Sequence, residues 1–137
     1  AEVSGNKEVM MLCEKIRILA GEMIGQQSLL IPFFCLVNQP SLKELEMSDI
    51  QAKLIAYNRV HTAFQGMASA CLAVASCIPG TVVYEKVIRD IKSAQYIRIS
   101  HPSGIMPVDV QINSDNLPMR VAISRTWRRI MDGVAYY

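Results

Sequence analysis

Residues 66–78 constrain this chain's fold more than any other stretch: they carry no charge, and only Ser69 and Ser76 are polar. A helix that is apolar around its whole circumference is one that other structure covers on every side. Its alanines, serines and cysteines let neighbouring backbone approach closely, and Pro79-Gly80 ends it. A chain of 137 residues has room for one ordinary domain. In a domain of that size a buried helix implies a sheet curled around it.

The remaining residues supply that sheet. Val9, Leu12, Cys13, Ile16, Leu19, Ala20 and Met23 recur at helical spacing and predict an amphipathic helix over 7–24, stopped by Gly25. The apolar run 28–37 is short enough to favour a strand over a helix, with Pro32 placing it at an edge. Residues 41–49 are charged and read as a loop or short helical excursion. Ile50, Ala52, Leu54 and Ala56 alternate with Gln51, Lys53 and Tyr57, the pattern of a half-buried strand. Further strands are predicted at 81–85, 96–100, 105–112 and 119–124, with a turn at 113–117. Residues 134–137 fit a terminal strand, and 86–94 fit either a strand extension or a short helix. The fold class is therefore α+β: a curved, mostly antiparallel sheet wrapped around a buried central helix, with one amphipathic helix outside.

Composition narrows the function classes. A hydrophobic content of 51% with 19% charge excludes disorder, and 14 basic against 12 acidic residues imply neither a nucleic-acid nor a membrane-surface partner. Cys13, Cys35, Cys71 and Cys77 show no C-x-x-C spacing and have no nearby histidine pair, which argues against a metal site and a disulfide scaffold. Reduced thiols in a cytoplasmic protein are expected, with Cys71 and Cys77 as inert core filler. The apolar runs 29–37 and 67–78 fall short of the roughly 20 residues of a membrane-spanning helix. No basic-then-apolar leader opens the chain. It starts abruptly at Ala1 rather than at methionine, as a piece of something longer would.

The chemistry-bearing pattern is at the start of the central helix. Gly66, Met67, Ala68 and Ser69 occupy a helix N-terminus, where backbone N–H groups lack intrahelical partners and the dipole favours an anion. Tight packing at Gly66 explains the glycine equally well. Arg59 and His61 lie just upstream, where either can pair with an anion or serve only structure. His101-Pro-Ser-Gly104 reads as a β-turn. Arg125, Arg128 and Arg129 around Trp127 read as a solvated turn rather than a base-stacking patch. No complete catalytic set is visible.

Taken in order, several segments resemble the PrpF-like isomerases. These are His61-Thr-Ala-Phe-Gln-Gly-Met-Ala-Ser-Ala-Cys71 with Ile78-Pro-Gly-Thr-Val-Val83, then Ile99-Ser-His-Pro-Ser-Gly104, then Ser124-Arg-Thr-Trp-Arg-Arg-Ile-Met-Asp-Gly133. The resemblance covers most of the chain, most firmly from Arg59 onward. It implies the diaminopimelate-epimerase-like fold, in which two similar domains flank a cleft, with this chain as the second domain alone and the N-terminal half absent. It implies a cofactor-free 1,3-proton transfer that shifts a C=C bond in a small unsaturated di- or tricarboxylic acid such as methylaconitate, methylitaconate, oxalomesaconate or aconitate. By the same resemblance, Gly66, Met67, Ala68 and Ser69 offer N–H groups, and Ser69 its hydroxyl, to a substrate carboxylate. Arg59, His61 and Gln65 line the same mouth. The proton-transfer pair, a lysine and a cysteine, belongs to the missing domain, so no catalytic residue falls in this chain and it is inactive by itself. Met67 replaces the family's usual threonine, Trp127 its usual alanine, and Gln65 stands where the related epimerases carry a catalytic cysteine.

Two classes of function follow. One is the substrate-binding half of an allylic isomerase, and the other a truncated or repurposed half kept for binding or assembly. An epimerase is disfavoured by Gln65.

Overall fold

The computed structural model describes residues 6–26, 28, 31–56, 59–125 and 128–134. The first helix, α1 (Lys7–Met23), starts where Asn6 Oδ1 accepts from the N–H groups of Glu8 and Val9, at 3.1 and 3.2 Å. It stops where Gly25 takes a φ of +70°, while the Gln26 N–H donates to the Gly21 carbonyl at 2.8 Å.

The expected apolar stripe of α1 is not the face that is buried. Met10, Cys13, Arg17 and Gly21 pack inward, whereas Leu12, Ile16, Leu19 and Met23 are exposed. Met10 and Cys13 pack on Ile55, while Arg17, paired with Glu14 at 2.7 Å, donates to the Ser28 carbonyl at 2.9 Å on the same side of the helix. At Gly21 a Cβ would lie 2.8 Å from the Gln26 carbonyl oxygen, so that position has to be close-packed.

Six strands follow: β1 (Phe34–Asn38), β2 (Ile50–Ala56), β3 (Arg59–Val60), β4 (Tyr96–His101), β5 (Gly104–Ile112) and β6 (Pro118–Ile123). Their order is β1-β2-β4-β5-β6, with β3 on β2, and every pairing is antiparallel except β2 with β4. The alternation read in 50–56 is realised: Ile50, Ala52, Leu54 and Ala56 are buried. Among the described residues of the run 28–37 the strand starts at Phe34, and Leu29 and Leu30 lie outside the described residues. The 113–117 turn closes because Asn113 Oδ1 accepts from the N–H groups of Asp115 and Leu117, at 3.0 and 2.9 Å.

The parallel β2–β4 pair is short, with only Ile50 opposite Ile99 and Gln51 opposite Ser100. Asp49 extends it. Its fully buried carboxylate accepts from the Arg98 N–H at 2.7 Å and pairs with Arg98 Nη2 at 2.8 Å. Arg89 Nε lies 2.9 Å from the same carboxylate but off the hydrogen-bond line, a coulombic contact. Arg89 also stacks over the Tyr96 ring at 4.2 Å.

Between β3 and β4 run α2 (Gly66–Ala75), α3 (Val82–Lys86) and α4 (Ile91–Ala94). The strand expected at 81–85 is instead α3, because Thr81 Oγ1 accepts from the Tyr84 N–H at 3.1 Å and starts a helix there. In 86–94 the short-helix alternative holds, with α4 capped by Asp90. The core joins Leu72, Ala73 and Cys77 from the α2 segment to Ile97, Ile99, Val108 and Val110 of the sheet.

The central helix is not buried on all sides. α2 packs on β4, β5 and β6, whereas Met67 is 76% exposed, Cys71 is exposed, and Ala70, Val74 and Ile78 are half-buried. Met67, Ala70, Cys71 and Val74 fall on one helical stripe. The sheet of this chain therefore covers one side of α2 and leaves Met67 and Cys71 of that stripe open. Among the terminal residues, Val134 is in no strand, and 135–137 lie outside the described residues, as do Tyr57 and Trp127.

Candidate functional site

The start of α2 differs from that of the other helices. Asn6, Thr81 and Asp90 cap α1, α3 and α4 with side-chain oxygens, but Gln65, the residue before α2, makes no side-chain cap. The first bond of the helix runs from the Ser69 N–H to the Gln65 carbonyl at 2.9 Å. Among the described residues nothing accepts from the N–H groups of Gly66, Met67 and Ala68. Three donors therefore point out of the helix end, rather than the four expected from the sequence.

Ser69 is engaged within the helix itself. Its hydroxyl is fully buried and donates to the Gly66 carbonyl at 2.7 Å, as serines inside helices do. It faces the helix turn, away from the mouth.

Arg125 completes the mouth, a role that its place among the arginines of 125–129 did not suggest. A Cβ on Gly66 would lie 2.7 Å from Arg125 Nη2 and 3.5 Å from Ile123 Cδ1. The guanidinium thus sits in the space that a side chain at position 66 would occupy. Arg125 is exposed and has no carboxylate partner among the described residues. A guanidinium beside a helix N-terminus, which carries roughly half a positive charge, is a repulsive arrangement that an anion between them relieves. The Ser124-Arg125 dipeptide after β6 was the available signal, legible only once β6 was known to end beside α2.

Arg59 and His61 occupy a neighbouring position. With Ala56, Val60 and Thr62 they line an open cleft of ≈ 450 Å³, to which residues 65–69 do not contribute. His61 Nδ1 lies 2.9 Å from the Ala63 carbonyl, so the neutral ring carries its proton on Nδ1 and leaves Nε2 as an acceptor. Gln65 is half-buried and Met67 projects into solvent. The structure thus divides the predicted residues between two adjacent surfaces: Arg59 with His61, and 66–68 with Arg125.

The loop from Val60 to Gly66 has one further neighbour, the turn at 101–104. Ser103 Oγ donates to the Thr62 carbonyl at 2.5 Å, and the His101 ring packs on Phe64 with centroids 6.2 Å apart. Segments far apart in sequence, 61–69, 101–104 and 123–125, therefore meet at one end of α2.

The thiols separate as well. Burial pushes Cys35 up to about 12 and raises Cys13 and Cys77, while Cys71, expected in the core, is exposed. Among the described residues no helix is long and apolar enough to cross a membrane.

This mixed α+β arrangement has a counterpart among solved structures. The crystal structure of methylitaconate-delta-isomerase superposes with a TM-score of 0.75 at 20% identity, covering 94% of this chain and 43% of that one. The PrpF protein family matches residues 1–137, and this chain belongs to it. The 3-methylitaconate isomerase of Eubacterium barkeri is 31% identical over 153 residues, covering 98% of this chain and 40% of that protein. The (4E)-oxalomesaconate Delta-isomerase of Novosphingobium sp. (strain KA1) is 23% identical, covering 98% and 37%. The chain thus spans about two fifths of the length of the curated relatives it matches.

Proposed function

We propose that this chain is the carboxylate-binding part of an isomerase that moves a C=C bond by 1,3-proton transfer in a small unsaturated di- or tricarboxylic acid. The observation that carries the reading is the Arg125 guanidinium held against Gly66, beside three N–H groups without acceptors. The relatives' names, all isomerases of unsaturated acids, point to the same class of reaction.

The chemistry asks for such a site. Removing an allylic proton leaves negative charge that spreads onto the adjoining carboxylate, and donors already aimed at that carboxylate lower the barrier without reorganising. In this reading Gly66, Met67 and Ala68 donate through the backbone and Arg125 through its guanidinium. Arg59, His61 and Gln65 border the mouth and contact the remainder of the acid. Ser69 contributes by holding the first turn together.

The base and acid that move the proton belong to polypeptide beyond these residues, supplied in the same chain or by a companion. That polypeptide also covers the exposed Met67 and Cys71, completing the enclosure of α2. Losing one member of a proton-transfer pair costs about 10²–10⁴ in rate, so these residues by themselves catalyse nothing measurable.

Proton NMR of aconitate and its methyl analogue in D₂O tests this reading. The expected result with the purified chain is line broadening or shift changes of the acid without deuterium entering the allylic position. Deuterium incorporation by the chain alone would place the acid–base groups within it, with His61 the first suspect. No interaction with any of these acids would remove the mouth from the mechanism.

A further inference from the structure

Between Val60 and Gly66 the backbone has no regular structure, yet this segment sets the direction of the N–H groups of α2. Its tertiary restraints are few. The His61 N–H donates to the Leu54 carbonyl at 2.8 Å, Phe64 is buried in the core, and the 101–104 turn lies across the rest. Within that turn, His101 Nδ1 accepts from the Ser103 N–H at 3.3 Å, and Ser103 Oγ in turn holds the Thr62 carbonyl. The same imidazole packs on Phe64, two residues before Gly66.

We infer that neutral His101 is a positioning residue: its unprotonated Nδ1 locks the 101–104 turn onto residues 62–64 and so fixes where the Gly66, Met67 and Ala68 N–H groups point. Protonation turns Nδ1 into a donor facing the Ser103 N–H donor, and the strap from Ser103 to Thr62 loosens. The charged groups around the ring do not offset this. Glu44 and Lys53 line the same cleft as His101, but the Glu44 carboxylate is already held by the Ser100 and Ser41 hydroxyls, each at 2.6 Å. The other imidazole of the region, His61, lies on the strapped loop with Nδ1 on the Ala63 carbonyl. Burial lowers the His101 pKa from its ordinary value and outweighs a hydrogen bond to the Thr62 backbone, which favours the charged ring.

The inference concerns how the mouth is held, and its consequence for acid binding rests on the reading above. The test is therefore made first without ligand, on the full chain, by ¹H–¹⁵N spectra between about pH 8 and pH 5. The amides of Gly66, Met67 and Ala68 are expected to shift with the midpoint of the His101 ring, and to do so unchanged in His61→Gln. His101→Asn offers an uncharged acceptor in place of Nδ1 and should hold the mouth in its neutral position with no titration. Aconitate binding by the wild-type chain should weaken roughly fivefold over the same range, the equivalent of about one hydrogen bond. In His101→Asn only the acid's own titration should remain. Amides at 66–68 that ignore the His101 midpoint, or lose their pH dependence in His61→Gln, would overturn the proposal. Amides that follow it in a chain that binds no acid would sustain it while refuting the functional reading.

Discussion

Replacing Gly66 by alanine separates the two explanations for that glycine. The new Cβ would stand 2.7 Å from Arg125 Nη2 and 3.7 Å from Arg125 Cζ, while its contact with Ile123 Cδ1 at 3.5 Å is ordinary. Non-bonded heavy atoms settle at about 3.5–4.0 Å, so the guanidinium has to withdraw by roughly 1 Å. It is the far end of a flexible, exposed side chain, and the withdrawal costs the fold little. The backbone at position 66 is helical, and alanine restricts the unfolded chain more than glycine does, a gain of about 0.4–1 kcal/mol. Gly66→Ala should therefore melt at the wild-type temperature or a few degrees above it. Binding should suffer, because Arg125 no longer reaches over the helix end. A hydrogen bond to a charged group contributes about 1.5–3 kcal/mol, so affinity for aconitate should fall roughly tenfold to a hundredfold. Calorimetric titration and thermal melts of Gly66→Ala, Arg125→Gln and the double variant are the assay. The double variant should bind no worse than either single one, since both remove the same contact. Wild-type affinity in Gly66→Ala would refute the role of Arg125. A loss of more than about 1 kcal/mol in stability would show that close packing, not the arginine, requires the glycine.

Ser69→Ala should cost about 1 kcal/mol of stability and leave acid affinity within about twofold, because the hydroxyl serves the Gly66 carbonyl; a tenfold loss of affinity would return it to the ligand. Asp49→Asn should destabilise the chain by about 2–3 kcal/mol in urea melts, below the usual figure for a broken buried pair because both arginines are partly exposed to water. Maleimide labelling of the purified 137-residue chain by itself, followed by mass analysis, should modify Cys71 and spare Cys13, Cys35 and Cys77, whose thiols burial keeps protonated. Glu44 is held below the ordinary carboxylate range by the Ser100 and Ser41 hydroxyls. Its contribution to stability is present above the unfolded pKa of about 4.3 and is lost as pH falls through the folded value, so Glu44→Gln should flatten that limb of the acid-denaturation curve.

By itself the sequence determined what local rules can decide. Helical spacing and Gly25 marked α1 and its end, alternation marked β2, Asn113 and Gly104 marked the hairpins, and the apolar run with Gly66 located both α2 and the end of it that carries the candidate site. Each of these signals acts within a few residues, where capping, alternation and turn chemistry operate. Tertiary structure decided the rest. Periodicity showed that α1 and α2 have apolar surface, but it did not show which part is covered, because the partners of α1 (Ile55 and the Ser28 carbonyl) lie outside the helix and the extent of the sheet leaves Met67 and Cys71 of α2 in the open. Ser69 sits in the right place for a ligand, yet its hydroxyl turns to its own helix. The mouth itself depends on contacts between distant segments: Arg125 over Gly66, and Ser103 on Thr62, 41 residues away in sequence. No spacing rule encodes such a contact, because it exists only after β4, β5 and β6 have paired and carried those side chains to the start of α2.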